Sequence, residues 1–169
     1  MYRPMKLLYI VRHAKSSWDF PELSDHERPL LEKGKKRTRK MIEFLKSKKA
    51  KPDIIISSSA LRARETAGYF AVGLGLSQED VIIDPTLYHA DYERIFDQFI
   101  DLSDQNNAVM LVGHNPAFTN FVNLFLVPPI DWLPTSAVVC LSFDTNHWDE
   151  IKNSGYEVKF VAYPKLIAD

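Results

Sequence analysis

Three short polar clusters carry the side chains best suited to chemistry. They are Arg12-His13, Ser57-Ser58-Ser59-Ala60-Leu61-Arg62 and Gly113-His114-Asn115. Together they supply two guanidiniums, two imidazoles, small hydroxyls and, at Asn115-Pro116, the signature of a helix start. A guanidinium stays charged and grips two phosphate oxygens at once. A helix N-terminus adds N–H donors and partial positive charge. A neutral imidazole held in the right tautomer attacks phosphorus through its free ring nitrogen. The inventory therefore suits a phosphoryl group, with catalysis by positioning and charge stabilisation and little demand for a metal. Like-charge repulsion from the arginines is expected to depress both histidine pKa values and keep the nucleophile unprotonated. Taken singly, each residue has a plainer explanation: a strand-end cap for Arg12, a backbone-bonded ring for His13 or His114, an exposed helix position for Arg62.

All three clusters follow apolar runs. Leu7 to Val11, Asp53 to Ser57 and Ala108 to Val112 read as strands buried on both faces, and Val81 to Ile83 as another. Ligands of open α/β sheets bind beyond the carboxyl ends of the strands, so distant segments can meet at one rim. Between the strands, residues 30 to 49 read as a Lys/Arg-rich helix with one apolar stripe, its cations a solvated face rather than a nucleic-acid patch. Residues 60 to 71 read as a helix ending near Gly73 and Gly75. Residues 91 to 102 are amphipathic, with Ile95, Phe96, Phe99 and Ile100 on one side. Residues 137 to 143 and 158 to 162 read as closing strands joined without a helix. Strands alternating with helices predict a three-layer αβα sandwich, its sheet mostly parallel with antiparallel pairing at the last strands.

The chain has 169 residues, 46% hydrophobic and 25% charged, with a net charge of −1. That is the composition of one ordinary globular domain, here residues 1–169. The near-balanced charge argues against a nonspecific nucleic-acid binder. One cysteine allows no intrachain disulfide. No apolar run reaches the ~18 residues of a membrane span, and the N-terminal run is too short for a signal peptide. A cytoplasmic protein with no membrane or nucleic-acid partner is expected. Cys140 is followed by no arginine that could complete a cysteine-phosphatase loop. His13, His26, His89, His114 and His147 show no ligand spacing, so no metal is expected. No Walker-type or dinucleotide glycine motif occurs, and no cofactor is expected.

The clusters carry a family resemblance. Arg12-His13-Ala14-Lys15 resembles the Arg-His-Gly signature of the histidine phosphatase superfamily, whose fold is phosphoglycerate mutase-like. Ser58 to Ala67 resembles its Ser-x-x-x-Arg-Ala-x-x-Thr-Ala motif, and Gly113-His114-Asn115 its third motif. Within the superfamily the chain is most similar to short SixA-type phosphohistidine phosphatases. The likeness rests on Arg12 to Ser16, on Asp25, Arg28, Pro29, Leu30 and Gly34, on Leu87-Tyr88 with Ala90, and on Pro134-Thr135. The resemblance implies a catalytic His13 that becomes phosphorylated. It implies Arg12 and Arg62 on the phosphoryl oxygens and His114 as a second pocket histidine. Asn115 and Lys15 would line the pocket, which phosphate or sulfate also fits, and the partner would be a phosphorylated protein.

Two departures bear on the substrate. Ala14 replaces the signature glycine, which the short group tolerates. The segment Asp84 to Asp91 lacks the glutamate that many members use as general acid. An alkoxide leaving group needs a proton in the transition state, whereas an imidazole leaving a phosphoramidate needs less help. That tilts the substrate toward phosphohistidine, with His89, Asp91, a first-loop acid or no residue as proton donor. A phosphatase for small phosphomonoesters is the alternative enzyme, ahead of a mutase, and a noncatalytic phospho-binding protein is the third reading. The loop from Ser16 to Glu27 reads as a packed surface loop whose aromatics complete the core. Docking of a partner on Trp18 and Phe20 is its other reading. Asp25 with Arg28 reads as a structural ion pair, and Cys140 as a buried core residue.

Overall fold

The computed structural model describes residues 5–168. Its strands are β1 (Lys6–Arg12), β2 (Ile54–Ser57), β3 (Val81–Ile83), β4 (Ala108–Gly113), β5 (Val138–Phe143) and β6 (Tyr156–Ala162). They form one sheet in the order β3-β2-β4-β1-β5-β6. The first four positions pair in parallel, while β5 runs antiparallel to β1 and β6 to β5. Among the described residues four α-helices accompany the sheet: α1 (Glu32–Ser47), α2 (Leu61–Leu74), α3 (Tyr92–Asp97) and α4 (Ala117–Val122).

The layering follows from the two-residue period of a strand. In β1, Leu8 and Ile10 point to one face and join Ile95 of α3 and Phe118 and Phe121 of α4. Tyr9 and Val11 point to the other and join Met41 and Leu45 of α1 and Phe70 of α2. Every residue of β4 and β5 is buried. Sheet and helices thus make the expected αβα sandwich, each fully buried aliphatic or aromatic side chain contributing about 1.5–3 kcal/mol. No helix among the described residues is long and apolar enough to cross a membrane.

Three local expectations are corrected. The amphipathic stretch 91–102 is helical only over Tyr92–Asp97. Ile95 and Phe99 still reach the core, but Ile100 falls beyond the helix and is exposed. The β5–β6 connection, expected to lack a helix, contains a 3₁₀ segment, Trp148–Asn153. That segment carries Trp148 into the core, stacked on Phe99 at 5.6 Å. The first loop does not complete the core: Trp18 is 75% exposed and Phe20 46%. Trp18 instead lies against the Arg28 guanidinium, 3.3 Å from its ring centroid.

Gly34 sets how closely α1 approaches β1. A Cβ there would sit 2.3 Å from the Lys15 carbonyl oxygen. The glycine lets the first turn of α1 lie on the chain leaving Arg12-His13, where Leu31 N–H donates to the same carbonyl at 2.9 Å. Any side chain at position 34 would push the helix off that backbone.

Candidate active site

Strands β1, β2 and β4 end side by side, and backbone bonds extend the ladder past their ends. His13 N–H donates to Gly113 O at 3.0 Å and Ser58 N–H to Val112 O at 2.9 Å. Gly113 lets α4 turn back immediately, because a Cβ there would lie 2.5 Å from the Phe118 ring. Thr66 ties the first loop to α2: its Oγ1 accepts from Ala14 N–H at 2.9 Å and donates to Arg62 O at 2.7 Å. Ser136 N–H caps the Arg12 and His13 carbonyls from the segment before β5. The sequence-distant clusters thereby line one cavity of about 650 Å³ that holds Arg12, His13, Lys15, Arg62, His114 and Asn115.

His13 is buried, and its Nδ1 lies 2.8 Å from the Ala14 carbonyl oxygen. A carbonyl only accepts, so Nδ1 carries the proton and Nε2 keeps its lone pair. Burial, with the nearby His114, Arg62 and Arg12 acting in the same direction, lowers the His13 pKa to about 3. Burial and the Arg62 charge lower His114 to about 3 as well. The depression expected from the arginines is thus present, but dehydration of the rings is its larger cause. The two rings stand 5.0 Å apart, centroid to centroid. His114 Nε2 meets Ser58 Oγ at 2.7 Å.

Two side-chain polar atoms among the described residues are buried without a hydrogen-bond partner: Arg12 Nε and His114 Nδ1. A buried polar group left unpaired costs about 1–3 kcal/mol. Both residues line this cavity, and Arg12 Nε–H and a protonated His114 Nδ1 are donors that an anion's oxygens can satisfy.

The remaining groups are oriented by neighbours. Arg62 donates to Asp25 twice, from Nη1 to the backbone oxygen at 2.7 Å and from Nη2 to Oδ2 at 3.1 Å. Asp25 also accepts from Arg28 at 2.9 Å and from the Tyr88 hydroxyl at 2.5 Å. Burial works to raise the Asp25 carboxyl, but Tyr88, Arg62 and Arg28 together hold it down at about 2. Asp25 is therefore more than the partner of Arg28: it is a fixed anion that aims Arg62. Asn115 lines the cavity with its amide engaged, Oδ1 accepting from Thr119 N–H at 3.1 Å and Nδ2 donating to Leu133 O at 2.8 Å. Arg12 Nη1 donates to the same carbonyl at 3.0 Å. Helix α4 starts one residue later than its sequence signature suggests, with Pro116 in the flanking position.

Of the candidate proton donors, only the first-loop Asp19 lines the cavity. Asp91 instead caps α3, accepting from Arg94 N–H at 2.9 Å, and His89 packs on Tyr88. Among the described residues no group of three or more His, Cys, Asp or Glu side chains is placed to hold a metal. Sequence reasoning missed Trp132, whose ring lies 5.8 Å from the Arg12 guanidinium, and Arg37, which also lines the cavity. Trp132 sits in a proline-broken loop with no periodic signal. Arg37 was hidden among the cations of α1.

Residues 8–110 match the model of the histidine phosphatase superfamily, branch 1. The chain belongs to that superfamily. An uncharacterized chloroplastic protein of Arabidopsis thaliana is 28% identical over 153 residues, covering 85% of this chain and 69% of that protein. Among solved structures, the protein histidine phosphatase SixA complexed with tungstate superposes with a TM-score of 0.78 at 22% identity, covering 95% of this chain and 98% of that one. A structure assigned to phosphohistidine phosphatase SixA of Agrobacterium tumefaciens gives 0.76 at 25% identity, covering 94% and 99%. A phosphoglycerate mutase of Bacillus anthracis gives 0.68 at 14% identity, covering 96% and 95%. The fold is thus phosphoglycerate mutase-like, and membership of the histidine phosphatase superfamily supports phosphatase activity.

Proposed function

We propose that this histidine phosphatase removes the phosphoryl group from phosphohistidine on a protein, through transfer to His13. The observation that carries the proposal is the Nδ1 bond of His13 to the Ala14 carbonyl, which leaves an unprotonated Nε2 for the cavity. That lone pair forms a P–N bond as the P–N bond to the leaving imidazole breaks, and the leaving nitrogen takes up a proton from solvent, which the attacking water returns in the second step. Water then attacks phosphorus, the P–Nε2 bond breaks with its electron pair returning to His13, and phosphate leaves with the water's oxygen. Arg12 and Arg62 hold the equatorial oxygens, where negative charge is spread in the transition state. Ser58 Oγ already accepts from Ala60 N–H at 3.2 Å. We assign the Ser58 hydroxyl as donor to His114 Nε2, which makes His114 Nδ1–H a neutral donor to the phosphoryl group. Asn115 fixes the Leu133 carbonyl that steers Arg12 and keeps one Nδ2 hydrogen for the anion. The scheme takes its positive charge from arginine and assigns no step to a metal.

A phosphatase for small phosphomonoesters is the second reading, favoured by Asp19, an acid at the cavity that could protonate an alkoxide. At matched enzyme concentration, a histidine-phosphorylated protein is expected to turn over faster than every member of a panel of small phosphate esters. Faster turnover of an ester would replace the first reading with the second.

A further inference from the structure

Arg37 belongs to more than one recess. It lines the active-site cavity, a neighbouring groove of about 480 Å³ with Trp132, Tyr163 and Lys165, and a third recess of about 720 Å³. The third recess is lined by Lys33, Lys36, Arg37 and Lys40 of α1 together with Pro164 and Lys165. Five of these six residues are cationic. Positions 33, 36, 37 and 40 follow the i, i+3, i+4, i+7 rule, so they share one helix face, spanning about 10 Å at 1.5 Å per residue. The whole chain carries a net charge of −1, so this concentration of cations is local. Among the described residues, Asp131 lies in the neighbouring groove, and Glu32 is paired with Lys35 at 2.9 Å.

We propose that this face of α1 with Lys165 docks an acidic segment of the phosphoprotein substrate and leads it over Arg37 to the phosphoryl site. The inference rests on the phosphohistidine reading for its substrate class. A length of about 10 Å fits roughly three extended residues. Among the described residues the cationic recess itself has no aromatic lining, Trp132 and Tyr163 belonging to the groove beside it, and a near-balanced whole-chain charge favours a protein over single-stranded nucleic acid. Attraction at this exposed surface acts through steering and alignment and weakens with salt.

The test uses two histidine-phosphorylated peptides that differ only in three flanking residues, Asp/Glu in one and Asn/Gln in the other. With the full chain at low salt, kcat/KM is expected to be roughly tenfold higher for the acidic peptide. The Lys33→Glu/Lys36→Glu/Lys165→Glu variant should lose that preference, and raising the salt to about 0.5 M should erode it. A control of equal charge change at the far end of α1 and beyond, Lys46→Glu/Lys48→Glu/Lys51→Glu, should keep it. Hydrolysis of p-nitrophenyl phosphate should be unchanged in both variants. Equal kcat/KM for the two peptides, or equal loss in the control, would overturn the docking surface. If neither peptide is hydrolysed while the ester is, the phosphohistidine reading has failed. Docking is then read by fluorescence anisotropy with the unphosphorylated peptides, where the same roughly tenfold preference in Kd sustains it and equal Kd values overturn it. Tighter binding of a single-stranded RNA of matched charge would also overturn it, in favour of a nucleic-acid surface.

Discussion

Strand β1 begins on a buried cation and ends on a half-buried one, and the two ends are finished in opposite ways. Lys6 is 1% exposed, yet all of its donors are used: Nζ donates to Asp104 O at 2.5 Å, Asn106 O at 2.9 Å and Asn107 Oδ1 at 3.2 Å. Trp148 lies 5.6 Å from the same ammonium. Burial lowers the Lys6 pKa, and the Asp104 and Asp53 carboxylates pull it back. Arg12, at the other end, keeps a buried Nε without a partner, and His114 beside it keeps an unpartnered Nδ1. The histidines differ in the same sense. His147, near Lys6, bonds Asp104 at 2.8 Å and its pKa is raised, whereas His13 and His114 are pushed down to about 3. A polar end that folding has completed is structural. A polar end that folding has buried and left incomplete is held ready for a ligand.

That contrast separates activity from stability, and the largest expected effect lies at the incomplete end. His13→Ala should lower kcat for phosphate release by at least about 10³-fold. Its melting temperature should stay within a few degrees of the parent, because the lost ring makes one backbone bond and sits at a cavity. Steady-state phosphate release with thermal unfolding by circular dichroism checks both halves. A variant that kept its activity would remove His13 from the chemistry.

Lys6→Met should show the reverse. Methionine fills similar space but strands the Asp104 and Asn106 carbonyls, at a cost of about 3 kcal/mol. For a chain of this size that lowers the melting temperature by roughly 10 °C, with kcat unchanged. A variant as stable as the parent would mean that the Lys6 end is no better completed than the Arg12 end.

The same contrast explains what could be read from sequence. The arrangement of β1, β2 and β4 was legible because their apolar runs are buried on both faces and each is followed by a polar cluster. The convergence of Arg12, His13, Arg62 and His114 at one cavity followed from that arrangement, as a consequence of parallel strands ending together. The burial of Lys6 was not legible, because a lysine beside an apolar run reads as its exposed boundary until Asp104 and Asn106 are seen to fold over it. Trp18 and Phe20 misled for the opposite reason. Aromatic residues usually signal a core, but here Trp18 stacks on a guanidinium at the surface. Arg37 looked like every other cation of α1, since helical periodicity tells which face a residue takes but not which cavity that face meets.

An oxyanion should complete what folding left open. Tungstate or vanadate at a hundred times its Kd should stabilise the protein by about 2.7 kcal/mol, a shift of several degrees. Arg12→Ala and Arg62→Ala should each weaken that shift, and Lys6→Met should leave it intact although its baseline is lower. Differential scanning fluorimetry across an oxyanion titration reads all of these. An equal shift in Arg62→Ala would show that the Asp25-aimed guanidinium is turned away from the anion.

With pH, the two ends should slope in opposite directions. The folded pKa values of His13 and His114 lie near 3, below the ordinary value of 6.5. Between pH 6.5 and about 3 the unfolded chain therefore binds protons that the folded one refuses. The stability these rings contribute is complete above 6.5 and is lost as pH falls toward 3. His147 is raised above 6.5 by Asp104, so its contribution is complete below 6.5 and fades as pH climbs through the raised value. Because His147 is exposed, solvent screening keeps its share small. Urea unfolding from pH 4 to 8 should thus give a shallower rise below pH 6.5 for His114→Gln and a slightly smaller decline above it for His147→Gln. Identical slopes in His114→Gln and the parent would mean that water reaches the ring in the folded state, and the cavity would then be open enough to hydrate a neutral nucleophile's neighbour without penalty.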